Sequence, residues 1–218
     1  MDAWLNTLGG RFIVFDGPDG SGKTTQLKRF VAACRDADAM VEELREPGGT
    51  AIGERIRDLL LSHGEEDIDP VCEMLLYMAS RAQLVACRIE PLLEQGFLVV
   101  ADRFVSSTLA YQGAAGGVPE EHIYQVAEIV CDKIRPDLVV LFDVDEVTAG
   151  RRLSPLLDRM EAKGRAFHAR VRKGYLDQAQ RDPDRHLVID ASQPPDKVFE
   201  DLMLGVRERL CDDGGPGA

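Results

Sequence analysis

The sequence lacks the basic surface that many nucleic-acid and membrane-binding proteins carry. Its 38 acidic residues outnumber its 26 lysines and arginines, so the formal net charge is −12, and there is no basic tract. A surface that binds nucleic acid or an anionic membrane needs clustered positive charge. We therefore expect neither partner, and any polyanionic ligand must be bound by a few individually placed cations.

Cysteine pairs and long apolar runs are missing as well. The 5 cysteines include no Cys-x-x-Cys pair and no histidine at metal-binding spacing, so we expect buried free thiols in a reducing compartment. No apolar run approaches the ~20 residues of a membrane span. The first residues lack the basic and apolar regions of a signal peptide. The sequence thus predicts a soluble cytoplasmic protein with no membrane partner.

What the sequence does contain is a glycine-rich loop at residues 17–24. A glycine, four residues and then Gly-Lys-Thr is the spacing of a phosphate-binding loop. A short apolar run at 11–16 precedes it, and apolar residues at helical spacing follow it as far as Cys34. When a strand, a loop and a helix follow one another in this order, the backbone N–H groups of the loop and the helix dipole can hold phosphates. The flanking elements disfavour the alternative of a glycine-rich turn with a chance Gly-Lys-Thr.

This loop predicts a site for ATP and Mg²⁺. We assign Lys23 to the terminal phosphates and the Thr24 hydroxyl to the metal. Asp16, at the end of the preceding run, is predicted to lie beside Lys23 and the metal, and the alternative is a carboxylate that only caps the loop. The predicted ATP-binding residues of the loop are Gly17, Pro18, Asp19, Gly20, Ser21, Gly22, Lys23, Thr24 and Thr25.

Apolar runs and amphipathic stretches alternate along the rest of the chain. Further strands are predicted at 39–44, 97–101, 138–144 and 186–190. Apolar residues at 3.6-residue spacing predict helices between them. Five strands that alternate with helices predict an α/β fold in which a five-stranded parallel sheet is flanked by helices on both faces.

Three stretches and the ends carry more specific predictions. We predict one continuous helix over 69–96, a glycine-rich turn over 113–117 that follows polar residues at 106–108 and 111–112, and a charge-rich helical region over 146–179 that Ser154-Pro155 breaks. The 218 residues suit one domain with a core over about 11–210. The acidic, glycine-rich end at 211–218 is predicted to be disordered.

Motifs and charged residues elsewhere in the chain indicate which class of phosphate-loop protein this is. A regulatory GTPase needs a guanine-selecting Asn-Lys-x-Asp, which is absent, and motor or transport ATPases usually belong to larger assemblies. A small-molecule kinase needs a second anion-binding site and a lid that excludes water. The candidate cations are Arg57, Arg81 and Arg103 on one side and the stretch from Arg151 to Arg165 on the other.

Five further segments resemble motifs of the thymidylate kinase family. They are Arg-Glu-Pro-Gly-Gly-Thr at 45–50, Tyr-Met-Ala-Ser-Arg-Ala-Gln at 77–83, Asp-Arg at 102 with Ser-Thr-x-x-Tyr-Gln at 107–112, Arg-Pro-Asp-Leu at 135–138, and Asp-Arg-Met-Glu at 158–161. The match runs in order from about residue 11 to 210. The resemblance implies the fold of phosphate-loop nucleoside-monophosphate kinases, with a helical lid at about 148–165. It also implies phosphorylation of dTMP to dTDP by ATP-Mg in nucleotide biosynthesis, and usually a homodimer.

The resemblance implies roles at the acceptor site. Tyr77 stacks on thymine, and Arg81 hydrogen-bonds a base oxygen and helps to orient the phosphate. Without the family, Tyr77 would be interpreted as core and Arg81 as a solvated helix charge. Because the acceptor phosphate is already ionised, no base is needed, and positioning with charge neutralisation suffices. The implied acceptor residues are Glu46, Pro47, Arg57, Tyr77, Arg81, Arg103, Thr108, Tyr111 and Gln112.

Within that set, a guanidinium can hold a phosphate through two parallel hydrogen bonds, so Arg57 and Arg103 are implied for the 5′-phosphate. The alternative for Arg103 is a structural ion pair with Asp102. The Tyr111 ring is implied beneath the sugar, where it disfavours a 2′-hydroxyl. Gln193 is implied beside the adenine of ATP.

The lid departs from the family pattern. Bacterial members with a small residue at the position of Gly20 usually carry lid arginines, whereas this chain has Leu-Ser-Pro-Leu-Leu at 153–157. We predict that Arg159 serves the transferred phosphoryl group, with Arg152 as second choice and Arg151 and Arg165 as remaining candidates. The alternatives to an active kinase are a catalytically weak paralogue that binds nucleotides in a regulatory or scaffolding role, or a kinase for another small acceptor.

Overall fold

The structure is a computed structural model, described here for residues 2–62, 67–152 and 158–211. Its strands are β1 (Phe12–Asp16), β2 (Val41–Arg45), β3 (Leu98–Asp102), β4 (Leu138–Asp143) and β5 (His186–Asp190). Its α-helices are α1 (Lys23–Asp36), α2 (Ala51–Leu61), α3 (Pro70–Leu84), α4 (Glu90–Glu94), α5 (Val105–Thr108), α6 (Glu120–Cys131), α7 (Glu146–Arg152), α8 (Arg165–Arg181) and α9 (Pro195–Leu210). Residues 153–157 of the predicted lid and 212–218 of the predicted tail lie outside the described residues.

The sheet confirms the predicted fold class. All four strand pairs are parallel, in the order β2-β3-β1-β4-β5. Side chains of the central strand alternate between two cores: Ile13 and Phe15 pack with α1 and α9 on one face, and Phe12 and Val14 pack with α3 on the other. Both faces are therefore covered, which explains why the three central strands, β1, β3 and β4, are nearly continuous apolar runs rather than alternating ones.

The helix predicted over 69–96 is present from Pro70 to Glu94, but its hydrogen bonding changes in the second half. Asp69 caps α3 by accepting hydrogen bonds from the N–H groups of Val71 and Cys72. After Leu84 the backbone widens into a π-helical turn over Val85–Ile89, and α4 follows. Pro91 lies in the first turn of α4 and has no N–H to donate to the preceding turn, so the regular hydrogen bonding has to change there.

The predicted glycine-rich turn over 113–117 is also helical in its first part. Helix α5 leads into a π-helical segment over Leu109–Ala115. Ala110 and Gly174 approach closely, because a Cβ added at Gly174 would lie 3.2 Å from the Ala110 Cα. These small residues let α8 pack tightly on the segment. The glycines indicated a turn, whereas packing against α8 stabilises the helix as far as Ala115.

Two further details differ from expectation. Residues 1–10 carried no structural prediction, yet Ala3–Leu8 forms a 3₁₀ helix that buries Leu5 and Leu8 in the core. Cys34 and Cys131 are buried as expected, with burial raising the pKa of their thiols to about 12 and about 11. Cys72 and Cys87 are exposed, so the general expectation of buried cysteines is wrong for them. None of the described helices is long and apolar enough to cross a membrane.

The topology fixes where a site forms. Strand β1 lies between β3 and β4, so the chain crosses to one side of β1 for β2 and β3 and to the other for β4 and β5. In such sheets the connections diverge beyond the carboxyl ends of the strands and leave a crevice there. The loop at 17–22 and the segments after β2, β3 and β4 all begin at this edge.

Candidate active site

The loop after β1 offers a row of unpaired backbone donors. Helix α1 begins at Lys23, with Gly22 at its N-cap in the left-handed region (φ 84°). Among the described residues, the backbone N–H groups of Gly20, Gly22, Lys23 and Thr24 have no hydrogen-bond acceptor. Unpaired N–H groups at the start of a helix, together with the helix dipole, form a binding site for anions such as phosphate.

Gly20 cannot carry a side chain in this arrangement. Its φ is 78°, and an added Cβ would lie 2.4 Å from the backbone oxygen of Ala149 in α7. An arginine at this position of the loop is excluded by both the backbone conformation and the contact. Any cation that neutralises charge between donor and acceptor phosphates, apart from Lys23, must come from outside the loop.

Asp102, rather than Asp16, lies beside the lysine and threonine of the loop. The Thr24 hydroxyl donates to Asp102 Oδ2 at 3.0 Å, and Lys23 Nζ lies 3.5 Å from Asp102 Oδ1. Asp102 Oδ1 is buried and has no hydrogen-bond partner among the described residues. No Asp16 oxygen lies within ion-pair distance of Lys23. The geometry therefore corrects the expected position of Asp16.

Asp16 is instead the centre of a buried hydroxyl cluster. It is fully buried, and it accepts hydrogen bonds from Ser106, Ser107 and Tyr175 at 2.5–2.7 Å. It also accepts from the Gly17 N–H at 3.0 Å. The carboxylate thus joins β1 to α5 and α8 and anchors the start of the loop, which agrees with the structural alternative rather than the metal role.

Arg103 lies at the junction of these elements. Its backbone has φ 72°, a conformation that is costly for a residue with a side chain and concentrates at functional sites. Its guanidinium donates to the hydroxyls of Ser107, Tyr111 and Tyr175 and to the Asp19 carboxylate. The alternative of an ion pair with Asp102 is not what the structure has.

These contacts shift the protonation of both partners. Burial alone would lower the pKa of Arg103, but Tyr111 and Asp19 outweigh it and raise the pKa well above the usual range. Burial alone would raise the pKa of Asp19, but Arg103 and Lys23 outweigh it and lower the pKa. The pair therefore remains charged at neutral pH.

A cavity of about 230 Å³ lies at this edge of the sheet, and we call it the central cavity. It joins the loop lysine to most of the residues that the sequence assigned to the acceptor site. Its lining includes Asp19, Lys23, Thr24, Arg45, Glu46, Pro47, Arg57, Tyr77, Asp102, Arg103, Thr108, Tyr111 and Gln112. Cations at one end and the polar groups of Thr108 and Gln112 at the other suit a ligand with an anionic end and a polar ring.

Arg81 does not line the central cavity, although it was assigned to the base. Its Nε and Nη2 donate to Glu46 Oε2 at 2.7 and 2.6 Å, and its Nη1 donates to Thr108 Oγ1 at 3.1 Å. Burial raises the pKa of Glu46, although Arg81 acts to lower it. Arg81 thus lies one layer behind the cavity and holds two residues that line it.

The Asp-Arg-Met-Glu segment folds as a small capped turn. Asp158 accepts hydrogen bonds from the N–H groups of Met160 and Glu161, and Glu161 accepts from the Asp158 N–H. This reciprocal pattern is a capping box. Arg159 points away from the loop: its Nε donates to the Leu60 carbonyl at 2.8 Å, and its Nη2 pairs with Glu73.

Neither arginine chosen from the sequence for the transferred phosphoryl group faces the loop. Arg159 does not line the central cavity. Arg152 Nη1 donates to the Ala191 carbonyl at 2.9 Å, beside the segment assigned to adenine. In that segment the Gln193 amide, which the sequence assigned to adenine, donates a hydrogen bond to Asp190 at 2.9 Å.

A second cavity of about 610 Å³ lies on the other side of the loop, and we call it the lid cavity. Pro18 and Asp19 of the loop line it, together with Arg151, Arg165 and Arg172. Arg172 is held by two hydrogen bonds to Asp143 at 2.7 and 2.8 Å. Within the described ranges, no hydrogen bond or ion pair occupies the guanidinium of Arg151 or Arg165.

The residues present fit a magnesium ion. The ion retains several waters and typically takes one or two carboxylates, with the remaining positions filled by substrate phosphates. Thr24 Oγ1 and the unpartnered Asp102 Oδ1 supply a hydroxyl and a carboxylate oxygen next to Lys23. Among the described residues there is no group of three or more potential ligands, so the site would depend on phosphate oxygens.

Sequence reasoning missed Glu73 and considered Asp102 as an ion-pair partner of Arg103. Glu73 is 2% exposed and accepts from Gln112, Arg159 and Lys163. A signal for it was present, because Glu73, Tyr77 and Arg81 are spaced by four residues and share one face of α3. Because Tyr77 and Arg81 were assigned to the site, a carboxylate on the same face is expected to be buried beside it and to need hydrogen-bond donors or cations as partners.

Comparison with known proteins identifies relatives along nearly the whole chain. A family model described as thymidylate kinase matches residues 15–202. Thymidylate kinase of Deinococcus radiodurans is 45% identical over 204 residues, which cover 92% of this chain and 98% of that protein. Thymidylate kinase of Symbiobacterium thermophilum is 41% identical over 91% of this chain and 94% of its own length. A crystal structure of thymidylate kinase from Ehrlichia chaffeensis matches with a TM-score of 0.71 and 32% identity, over 89% of this chain and 97% of that one.

Proposed function

This chain belongs to the thymidylate kinase family, and on that premise we propose that it transfers the terminal phosphoryl group of ATP to dTMP. The products are ADP and dTDP, and the reaction is a step of nucleotide biosynthesis. None of the comparisons favours a weakly active paralogue or a kinase for another acceptor. A cytoplasmic location accompanies this function.

One observation supports the proposal most directly. The central cavity joins the loop residues Lys23 and Thr24 to Thr108 and Gln112, so the donor phosphates and the acceptor base can occupy one continuous space. A protein that only bound ATP would not need a polar pocket at the far end of that space. We place the 5′-phosphate of dTMP between them, next to Arg57 and Arg103.

The transfer needs no general base. An ionised oxygen of the dTMP phosphate forms a bond to the γ-phosphorus of ATP while the bond from that phosphorus to the β,γ-bridging oxygen breaks, and ADP leaves. Lys23 and the loop N–H groups neutralise the donor phosphates, and Arg57 and Arg103 orient the acceptor. Asp19, Tyr111 and Tyr175 hold Arg103 in place.

Magnesium is part of the proposal. Thr24 and Asp102 would hold it beside the phosphates, with Asp102 taking the place first given to Asp16. When bound, Mg²⁺ neutralises phosphate charge and fixes the geometry of the terminal phosphates.

The transferred phosphoryl group also needs an arginine from outside the loop, because Gly20 cannot supply one. We assign Arg165, with Arg151 as the second candidate, since both line the lid cavity beside Pro18 and Asp19. Arg165 begins α8, which Arg172 and Tyr175 tie to β4 and β1. Arg165 therefore lies at the end of a helix that is held firmly against the sheet, which favours it over Arg151 as the arginine for the transferred phosphoryl group.

We further propose a homodimer through α2, α3 and α6. These helices pack side by side, yet they expose apolar side chains: Leu59 (63%), Val71 (48%), Leu75 (49%) and Ile129 (82%). Exposed apolar residues on neighbouring helices suit an interface with a second copy. Light scattering would contradict this proposal if it gave the mass of a monomer at micromolar concentration.

The activity is tested by measuring ADP release from Mg-ATP with purified protein and dTMP, dUMP, dCMP or UMP as acceptor. We expect the highest kcat/KM with dTMP. A Lys23→Met variant should lose about 10³-fold or more in kcat, which controls for a contaminating kinase. Turnover of none of the four monophosphates, with ATP binding retained, would refute the proposed function.

A further inference from the structure

The buried carboxylate of Glu73 contacts Gln112, which lines the central cavity together with Thr108. We call this end of the cavity, where we place the base of the acceptor, the base end. Glu73 Oε1 accepts a hydrogen bond from Gln112 Nε2 at 2.7 Å. The Arg159 guanidinium pairs with Oε2, and Lys163 Nζ lies 3.3 Å from the same oxygen. The carboxylate therefore acts as an acceptor toward all three neighbours, and a carboxylate accepts hydrogen bonds and donates none.

This fixes which way round the Gln112 amide lies. A group that only accepts can face only the NH₂ end of the amide, so the carbonyl Oε1 of Gln112 must point away from Glu73. Within the described parts of the chain, that oxygen accepts no hydrogen bond, and Gln112 lines the central cavity. The amide can thus offer the cavity one acceptor and the second hydrogen of its NH₂ group.

These two groups match one class of pyrimidine. Thymine and uracil carry an N3–H donor beside a carbonyl acceptor, which complements an acceptor beside a donor. Cytosine carries a lone pair at N3 and an amino group at position 4. Along its N3–C4 edge both groups would meet the wrong partner, and along its N3–O2 edge N3 would. A buried mismatch of this kind costs far more than a missing methyl contact.

We propose that Glu73 is a positioning residue that sets base selectivity by locking the Gln112 amide in the orientation that accepts thymine or uracil and rejects cytosine. The inference rests on the proposed function, because it takes a pyrimidine monophosphate as the ligand of the central cavity. Glu73 touches no substrate itself and acts only through Gln112.

Calorimetric titration of dTMP, dUMP and dCMP tests this without relying on turnover. Wild-type protein should bind dTMP at least about 100-fold more tightly than dCMP. In Glu73→Gln the side chain can donate or accept, so the Gln112 amide is free to turn over, and the ratio of the two dissociation constants should fall at least about tenfold. The ratio of dTMP to dUMP should not change, because both bases present the same edge.

Three variants separate positioning from a general structural effect. Lys163→Gln removes a cation beside Glu73 but leaves the carboxylate, so it should keep the dTMP to dCMP ratio within about twofold. Glu73→Asp keeps a group that only accepts, and should retain most of the selectivity. In a Gln112→Leu background, Glu73→Gln should change the ratio no further, since two residues that act through one contact are not additive.

Circular dichroism should confirm that each variant is folded, and Glu73→Met provides a second way to free the amide if Glu73→Gln is not. An unchanged ratio in a folded Glu73→Gln or Glu73→Met protein would overturn the proposal, as would a further change in the Gln112→Leu background. A wild-type protein that binds dTMP selectively but forms no dTDP would contradict the proposed reaction and leave the positioning role supported.

Discussion

The base end of the central cavity and the lid cavity differ in how their charged groups are paired. At the base end, Arg81 is held by Glu46 and Thr108, and Glu73 is held by Gln112 and Arg159. In the lid cavity, Arg151 and Arg165 have no partner within the described residues. Paired, buried groups are preorganised before a ligand arrives, whereas unpaired cations await the charge that a ligand brings. The difference indicates that base recognition is built into the fold and that the phosphoryl site is completed by ATP.

The largest expected effect is a loss of kcat in a variant of the lid cavity, Arg165→Ala, that the base-end variant Arg159→Ala does not share. Arg165→Ala should lower kcat by about 10³-fold with little change in dTMP affinity, because an arginine at the transferred phosphoryl group acts mainly in the transition state. Arg159→Ala should lower kcat less than tenfold but cost about 3 kcal/mol of folding free energy, since it removes a partner of buried Glu73. Steady-state kinetics and thermal unfolding measure both.

Arg151→Ala tests the second candidate for this role. Arg152→Ala is the matched control, because its guanidinium donates to the Ala191 carbonyl. A full loss of kcat in Arg159→Ala without loss of stability, together with normal kcat in Arg165→Ala, would restore the assignment made from the sequence. The contrast between the paired base end and the unpaired Arg151 and Arg165 of the lid cavity would then not describe how the catalytic arginine is supplied.

The second prediction concerns the two aspartates at the ends of β1 and β3. Asp102→Asn should lower kcat/KM by about 100-fold at limiting Mg²⁺, with partial recovery at high Mg²⁺, because it weakens the proposed metal ligand beside Thr24. Asp16→Asn should mainly lower stability, because Asp16 accepts four hydrogen bonds in a buried cluster. The Mg²⁺ dependence of the rate distinguishes them, and a Mg²⁺ shift in Asp16→Asn alone would reverse the assignment.

Much of the fold followed from the sequence because its signals are local. The apolar strands, the loop at 17–24 and the capped start of α3 each depend on a few consecutive residues. The π-helical turn before Pro91 and the helix over 105–115 were missed, since the first depends on a change of hydrogen bonding within a helix and the second on packing against α8. Such packing joins residues far apart in the chain.

The sequence allowed us to predict which residues belong to the site, but not how they are arranged within it. Most assigned acceptor residues line the central cavity, but their partners could not be deduced from spacing. Arg81 and Arg159 carry charges that suggested phosphate or base contacts, whereas each is bound by a buried glutamate. Which of two aspartates lies beside Lys23 depends on where α5 and α8 place hydroxyl groups, and no pattern along the chain contains that information.

The central claim is that the base end is ready before ATP binds. The direct measurement is the dTMP dissociation constant with and without a non-hydrolysable ATP analogue and Mg²⁺, by calorimetry at fixed ionic strength. We expect dTMP to bind the nucleotide-free protein, with an affinity that the analogue changes by less than about tenfold. Detectable dTMP binding only when the analogue is present would contradict the claim.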